Sequence, residues 1–255
     1  MLNKVILLGD KKPTATTRLI CFHHAGGTPS EYLKLNRYCG SDIELKVISI
    51  PRITTHSPFT DPEVSNLLIQ ISIIIKNLID MPLVLFGHSM GGLMAHYYAF
   101  ELAENSNLLL GLIVSSVQPP NGKLNSNSSS PSTATFWELL YDLIYLGGFP
   151  KYMMKDESLL NEAVNIYRND LKIIELIQQL NVAKVKTPIT YFGGENDPIN
   201  RSNEYLAWSD KTEIEFNSKL FPGGHFYFSD QMDDFVSSLK TSIIRFKCAT
   251  FTSKT

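Results

Sequence analysis

Ser89 stands in Leu83-Val84-Leu85-Phe86-Gly87-His88-Ser89-Met90-Gly91-Gly92, where an apolar run meets Gly-x-Ser-x-Gly and a helix-like segment, Leu93 to Glu104, follows. That is the context of a serine nucleophile on a sharp strand-to-helix turn. A side chain at 87 or 91 would collide with its neighbours, and glycine at both leaves the hydroxyl projecting. The helix after Ser89 would aim free N–H groups at the reacting centre, where a developing oxyanion can be held. The bare pattern arises by chance in about one chain in ten of this size, so the flanking strand and helix give it its weight.

Such a serine needs a base. Phe221-Pro222-Gly223-Gly224-His225-Phe226-Tyr227-Phe228 puts a histidine after a Pro-Gly-Gly turn and among aromatic residues. An acid must orient that imidazole and stabilise it when protonated. Pro188-Ile189-Thr190-Tyr191-Phe192 reads as a buried strand, and Gly193-Gly194-Glu195-Asn196-Asp197-Pro198 as the loop leaving it, which places Asp197 for that role. Glu195 is the nearby competitor, and Asp197 could instead merely cap the helix that follows. The chain order Ser89, Asp197, His225 is the one expected of an α/β-hydrolase.

The elements that would position these residues alternate. Arg18 to Phe22, Leu45 to Ile50, Leu83 to Phe86, Leu108 to Val114 and Ile189 to Phe192 read as strands covered on both faces. Asp61-Pro62-Glu63 opens a helix whose Val64, Leu67, Leu68, Ile71, Ile74, Ile75 and Leu78 repeat at helical spacing, so it faces the core. Ser229 can cap a final helix to about Phe246, with Lys247 to Thr255 a frayed tail. This alternation predicts a mostly parallel central sheet flanked by helices. Between about 119 and 183 it stops. A polar Pro119 to Thr135 segment reads as an exposed loop, followed by helices over Phe136 to Tyr145, Glu157 to Arg168 and Leu171 to Leu180. One domain over 1–255 with an inserted helical lid at 119–183 is expected. Phe136, Trp137, Tyr141, Tyr145, Phe149, Tyr152, Met153 and Met154 would either pack the lid onto the core or line an acyl tunnel.

The chain resembles the type II thioesterases, stand-alone α/β-hydrolases serving polyketide and nonribosomal peptide synthetases. Cys21-Phe22-His23-His24-Ala25-Gly26-Gly27 is similar to the family's Phe-Pro-His-Ala-Gly-Gly loop, and Gly87-His88-Ser89-Met90-Gly91 to its elbow. Phe192-Gly193-Gly194 with Asp197-Pro198, and Phe221-Pro222-Gly223-Gly224-His225-Phe226, match its acid and histidine loops. Leu146-Gly147-Gly148 and Arg168-Asn169-Asp170 resemble parts of its lid. The likeness runs from about residue 18 to 245. Two segments depart: His23 replaces a usual proline, and Ile50-Pro51-Arg52-Ile53-Thr54-Thr55-His56 lacks the glycines of Pro-Gly-Arg-Gly. Both lie near the expected mouth, so they bear on substrate preference.

The resemblance implies hydrolysis of acyl thioesters on acyl- or peptidyl-carrier proteins. The acyl group would ride on the partner's phosphopantetheine, with no cofactor or metal in the enzyme. The backbone N–H groups of Met90 and Ala25 would form the oxyanion hole, with His24 shaping the loop. Lys151, Lys155, Arg168 and Lys172 could meet an acidic carrier, or be solvated helix faces. The triad alone does not distinguish thioesters from esters or amides, so a small-molecule esterase or peptidase is the alternative. A non-catalytic binding or scaffolding protein of this fold is a further one.

Net charge −2 over 255 residues, with no basic run, argues against nucleic acid as the main partner. No apolar stretch reaches membrane-spanning length, and Met1 to Leu8 is too short for a signal sequence. Cys21, Cys39 and Cys248 are odd in number and widely spaced, which suits reduced thiols in cytoplasm rather than a disulfide framework, and a monomer is expected. His23 and His24 would point to opposite sides, poor for joint metal ligation. His96, two turns beyond Ser89, reads as a satisfied structural histidine.

Overall fold

The structure, a computed structural model, describes residues 4–54, 58–103, 107–120, 131–149, 154–180, 182–200 and 203–252. Most of the expected polar loop (121–130) lies outside these, as do Thr55, His56, Lys151, Tyr152 and Met153. Seven strands form one sheet: β1 (Ile6–Leu8), β2 (Thr17–Phe22), β3 (Ile43–Ser49), β4 (Leu83–His88), β5 (Leu109–Ser115), β6 (Ile189–Gly194) and β7 (Phe216–Phe221). Their order is β1-β3-β2-β4-β5-β6-β7, with β1 antiparallel and the rest parallel. This is an α/β-hydrolase fold.

Side chains alternate across the central strands. On β4, Leu83 and Leu85 join a core with α2 (Asp61–Lys76), α3 (Met90–Ala103) and α5 (Glu157–Gln179). Val84 and Phe86 join the opposite core with Tyr32 of α1 (Pro29–Leu33) and Phe235, Leu239, Ile243 and Phe246 of α6 (Met232–Thr252). Burial on both faces explains why these strands are legible as continuous apolar runs. Helix α2 begins one residue after its cap, Thr60, whose N–H and hydroxyl both reach the Glu63 carboxylate at 2.8 and 2.9 Å.

Several expectations change. The two helices expected over 157–180 are one, because Asn169 and Asp170 in its interior do not break it. Their polar groups bond chiefly to neighbouring loops, at Phe59, Ile53 and Gly26, while Asn169 also donates to Asn165 O one turn back in the same helix without breaking it. Helix α6 begins at Met232 and runs to Thr252, so it starts later than a Ser229 cap would allow and extends into the expected tail. Ser229 instead closes a single 3₁₀ turn. Strands β1 and β7 are the edges; β7, Phe-Asn-Ser-Lys-Leu-Phe, has no apolar run and is mostly half-buried.

Between β5 and β6 come α4 (Phe136–Tyr145) and α5, which packs against α2, α3 and α4. Thr135 caps α4 by accepting the Glu138 N–H, and Glu138 accepts from Thr135 in return. Inward-facing Leu139, Leu140 and Leu143 bury one side of α4. Trp137, Tyr141, Ile144 and Tyr145 face outward.

Candidate active site

The carboxyl ends of β4, β5, β6 and β7 are joined beyond the sheet by a line of backbone hydrogen bonds. Ser89 N–H donates to Ser115 O at 2.7 Å, Ser116 N–H to Phe192 O at 2.8 Å, and Glu195 N–H to Phe221 O at 2.9 Å. Ser89 sits in this row at φ +54°, a left-handed conformation that few non-glycine residues adopt. A Cβ at Gly87 would overlap the Gly91 carbonyl, and one at Gly91 would overlap the Phe22 carbonyl of β2. Both glycines are required by backbone meeting backbone. Met90 opens α3 directly behind Ser89, where the first N–H groups of a helix have no partner within it.

The loops that follow β6 and β7 bring Asp197 and His225 together. His225 Nδ1 lies 3.0 and 3.1 Å from the two carboxylate oxygens, and both side chains are buried. Burial alone would raise the Asp197 pKa. The His225 hydrogen bond and charge, helped by Ser116 and the Ile199 N–H, hold it below its ordinary value instead. Asp197 Oδ1 also accepts the Ile199 N–H at 3.0 Å, so the capping role and the contact with His225 coexist. Glu195 is exposed, and the carboxylate that meets the ring is that of Asp197. Ser116, which sequence reasoning missed, sits at φ +49° and donates its hydroxyl to His225 O at 3.2 Å. Neither its residue type nor its place after a strand marks it in the sequence.

A cavity of about 380 Å³ opens on Ser89 and His225. Ala25, Gly26, Thr28, Glu31 and Arg52 line one side. Leu143, Leu146, Phe149, Ala163, Tyr167 and Ile174 line the other. Of the aromatic and methionine residues weighed as tunnel wall, Phe149 lines the cavity. Trp137, Tyr141 and Tyr145 are exposed because the buried face of α4 is leucine, and Met154, outside that helix, is exposed as well. Arg168 is also not a free cation: it donates to Ser132 O and Ala134 O at 2.8 and 2.6 Å. Lys172 pairs with Asp61 and Glu175 at 2.9 and 3.4 Å. Lys155 is exposed.

Histidines crowd the floor of the site. Ile50 N–H donates to His23 Nε2 at 3.4 Å, so His23 Nδ1 carries the proton and donates to His24 O at 2.8 Å. The departure from proline thus braces the ends of β2 and β3 and is buried, whereas Arg52 of the second departure reaches the cavity. His24 Nδ1 meets Tyr32 Oη at 2.8 Å, and His88 Nδ1 meets Ser115 Oγ at 2.9 Å. Burial pushes His23 down to about 4, His24 to about 3, and His88 well below its usual range, so all three rings stay neutral beside His225. His96 differs from the satisfied histidine expected. It packs edge-on against Trp208 at 5.1 Å, and among the described residues neither ring nitrogen has a hydrogen-bond partner. Burial lowers its pKa to about 3, so it behaves as a neutral aromatic ring. Among the described residues no group of His, Cys, Asp and Glu could hold a metal ion, and no helix is long and apolar enough to cross a membrane.

Elbow, paired histidine and aspartate, and mostly parallel sheet define a hydrolase of the α/β class. A family model described as the thioesterase domain matches residues 17–243, and the chain belongs to that family, hydrolases acting on thioesters. The gramicidin S biosynthesis protein GrsT of Aneurinibacillus migulanus is 26% identical over 250 residues, 96% of this chain and 93% of that protein. The human medium-chain S-acyl fatty acid synthase thioesterase is 30% identical over 230 residues, 88% of this chain and 85% of its own. The RedJ thioesterase of the prodiginine pathway in Streptomyces coelicolor shares the fold, with a TM-score of 0.75, 23% identity, and 91% and 92% of the two chains covered.

Proposed function

We propose that the chain is a type II thioesterase that removes acyl groups from carrier proteins in nonribosomal peptide or polyketide assembly. The observation that carries this reading is the two-oxygen approach of Asp197 to His225 Nδ1 on a cavity shared with Ser89. In this reading His225 Nε2 takes the Ser89 proton as Oγ attacks the thioester carbonyl, and Asp197 holds the ring in the productive tautomer. Met90 and Ala25 N–H groups receive the oxyanion. Collapse breaks the C–S bond. The thiolate, whose acid has a pKa of ~8.5, leaves readily and takes the proton from His225 Nε2, which returns the ring to its neutral form. Water, deprotonated by His225, then releases the acid from Ser89.

The relatives support a carrier-bound substrate: one serves gramicidin S biosynthesis and another a fatty acid synthase. The substrate would arrive on the carrier's phosphopantetheine arm, with α4 and α5 as a lid over the cavity. The enzyme would need no cofactor of its own and would work as a cytoplasmic monomer. In the test, a fluorophosphonate should label Ser89 alone, and Ser89→Ala should abolish labelling and turnover in a folded protein. The labelled enzyme's active counterpart should show higher kcat/KM for an acyl group on a carrier protein than for the same group on free pantetheine. Faster hydrolysis of free p-nitrophenyl esters than of carrier-bound thioesters would instead make it a general esterase.

A further inference from the structure

The cavity over Ser89 follows one stripe of helix α5. Ala163, Tyr167 and Ile174 line it, and at about 100° per residue they fall within about 40° of one another around the helix. Asp170 lies on the same stripe and accepts the Gly26 N–H at 2.7 Å, which pins the middle of the stripe over the loop that shares the cavity with Ser89. The roof is close there: a Cβ at Gly26 would lie 3.5 Å from Leu143 Cδ2 and 3.8 Å from Tyr167 Cδ2. Helices α4 and α5 run antiparallel along this wall. Arg168 and Glu175 hold the segment before α4, at Ser132 and Ala134, whereas Leu143 stands level with Tyr167. Leu146, one turn beyond Leu143, therefore falls toward Ala163. The Tyr167 side chain leans the same way, because helical side chains tilt toward the N-terminus.

We infer that an unbranched acyl chain of about six carbons lies along this stripe from Tyr167 toward Ala163, and that Ala163 sets the length the site accepts. This rests on the thioesterase reading of Ser89. The opposite wall carries Thr28, Glu31 and Arg52, so a thioester at Ser89 sends its alkyl chain to the apolar wall and its amide-bearing arm to the polar one. Tyr167 to Ala163 is one helical turn, ~6 Å at ~1.5 Å per residue. An extended alkyl chain with C–C bonds of ~1.5 Å advances roughly 1.3 Å per carbon, so about five carbons beyond the carbonyl span that turn. The volume agrees: at ~30 Å³ for each water-sized atom, about 380 Å³ takes about a dozen non-hydrogen atoms. A hexanoyl thioester with the first atoms of its arm fills that space. Alanine is the smallest side chain that α5 places on this wall, and a larger one at 163 would occupy the room of the chain's last carbons.

The test measures kcat/KM on acetyl-, hexanoyl- and decanoyl-pantetheine and compares ratios within each preparation, so that unfolded protein cancels. In wild type kcat/KM should rise from acetyl to hexanoyl and fall by decanoyl; a continued rise would overturn the length limit. A misplaced methylene in an apolar pocket is worth about tenfold or more, so Ala163→Leu should lower the hexanoyl-to-acetyl ratio at least about tenfold. Leucine is nearly as good a helix former as alanine, which favours an intact α5. Leu146→Ala widens the same end and should raise the decanoyl-to-hexanoyl ratio about fivefold or more. An unmoved ratio in Ala163→Leu would overturn the proposal. So would a ratio that holds there and falls tenfold in Ile174→Phe, which would send the chain to the other end of the stripe. Should Ala163→Leu not fold, an unmoved decanoyl-to-hexanoyl ratio in folded Leu146→Ala would overturn it equally. Wild-type protein that hydrolyses none of the three thioesters and takes no fluorophosphonate at Ser89 would overturn the reading of the site itself, a result no change of ratio can mimic.

Discussion

The floor and the roof of the cavity are held by different kinds of contact. On the floor, Ser89, Ser116 and Glu195 are tied to neighbouring strand ends by backbone hydrogen bonds, and Gly87 and Gly91 leave no room for a Cβ. On the roof, α5 is tied by the side chains of Asn165, Asn169 and Asp170, and α4 by a leucine face, with Trp137 and Tyr141 74% and 64% exposed. Backbone pairing fixes the reacting groups whatever side chains surround them. Side-chain anchoring makes the cavity's far wall a matter of residue choice. If Ser89, Asp197 and His225 are the triad proposed above, the floor would set the reaction and the roof would bear on which acyl group fits.

The sharpest way to break this contrast is at the acid. Asp197→Asn should keep the fold and lower kcat by about two to four orders of magnitude, since the imidazole loses its orienting charge. Glu195→Gln, exposed on the same loop, should change kcat less than about twofold. Steady-state kinetics with these two outcomes exchanged would show the acid to be misassigned.

The next largest effect is a pH dependence of stability. His23, His24, His88 and His96 are all buried neutral, with folded pKa values of about 4, about 3, well below normal and about 3, against 6.5 when unfolded. Between these values the unfolded chain binds more protons, so stability is lost as pH falls from about 6.5 toward 4. Asp170 acts in the opposite sense, because its folded pKa of about 7 against 3.8 favours the folded state as pH falls. Asp142, also raised by burial, acts in the same sense as Asp170; four groups still outnumber these two, and urea midpoints should drop on acidification. A flat or rising midpoint over that range would mean that these rings are not held neutral.

The roof should respond in two sizes. Asn169→Ala leaves the Phe59 N–H and the Ile53 carbonyl without a buried partner and should cost about 1–3 kcal/mol in denaturant titrations. Trp137→Ala, on the exposed side of α4, should stay within about 0.5 kcal/mol. Equal losses at the two positions would erase the distinction between the anchored and the outward helix.

The floor was far more legible in the sequence than the roof. Its strands are buried on both faces and read as apolar runs, and its chemistry lies in short glycine-rich loops at their ends. Chain order then picks out Ser89, Asp197 and His225. What the sequence conceals follows from the same physics. Ser116 and Asp170 act through a backbone carbonyl and a backbone N–H, and a residue that serves a main-chain group leaves no spacing to find. Asn169-Asp170 looks like a helix break until its partners are known. The aromatic residues of α4 suggest an interior that the leucines of the same helix occupy. Strand β7, at the edge and mostly half-buried, offers no apolar run to read.

Ser89 itself carries a further consequence. A left-handed conformation costs a residue with a Cβ roughly 1–2 kcal/mol, and glycine escapes that cost. Part of it is returned as the extra freedom glycine has when unfolded, so Ser89→Gly should stabilise the fold by up to about 1 kcal/mol while removing the nucleophile. At this one position durability and chemistry select opposite residues. A copy of the chain released from catalysis would gain persistence by giving up its serine.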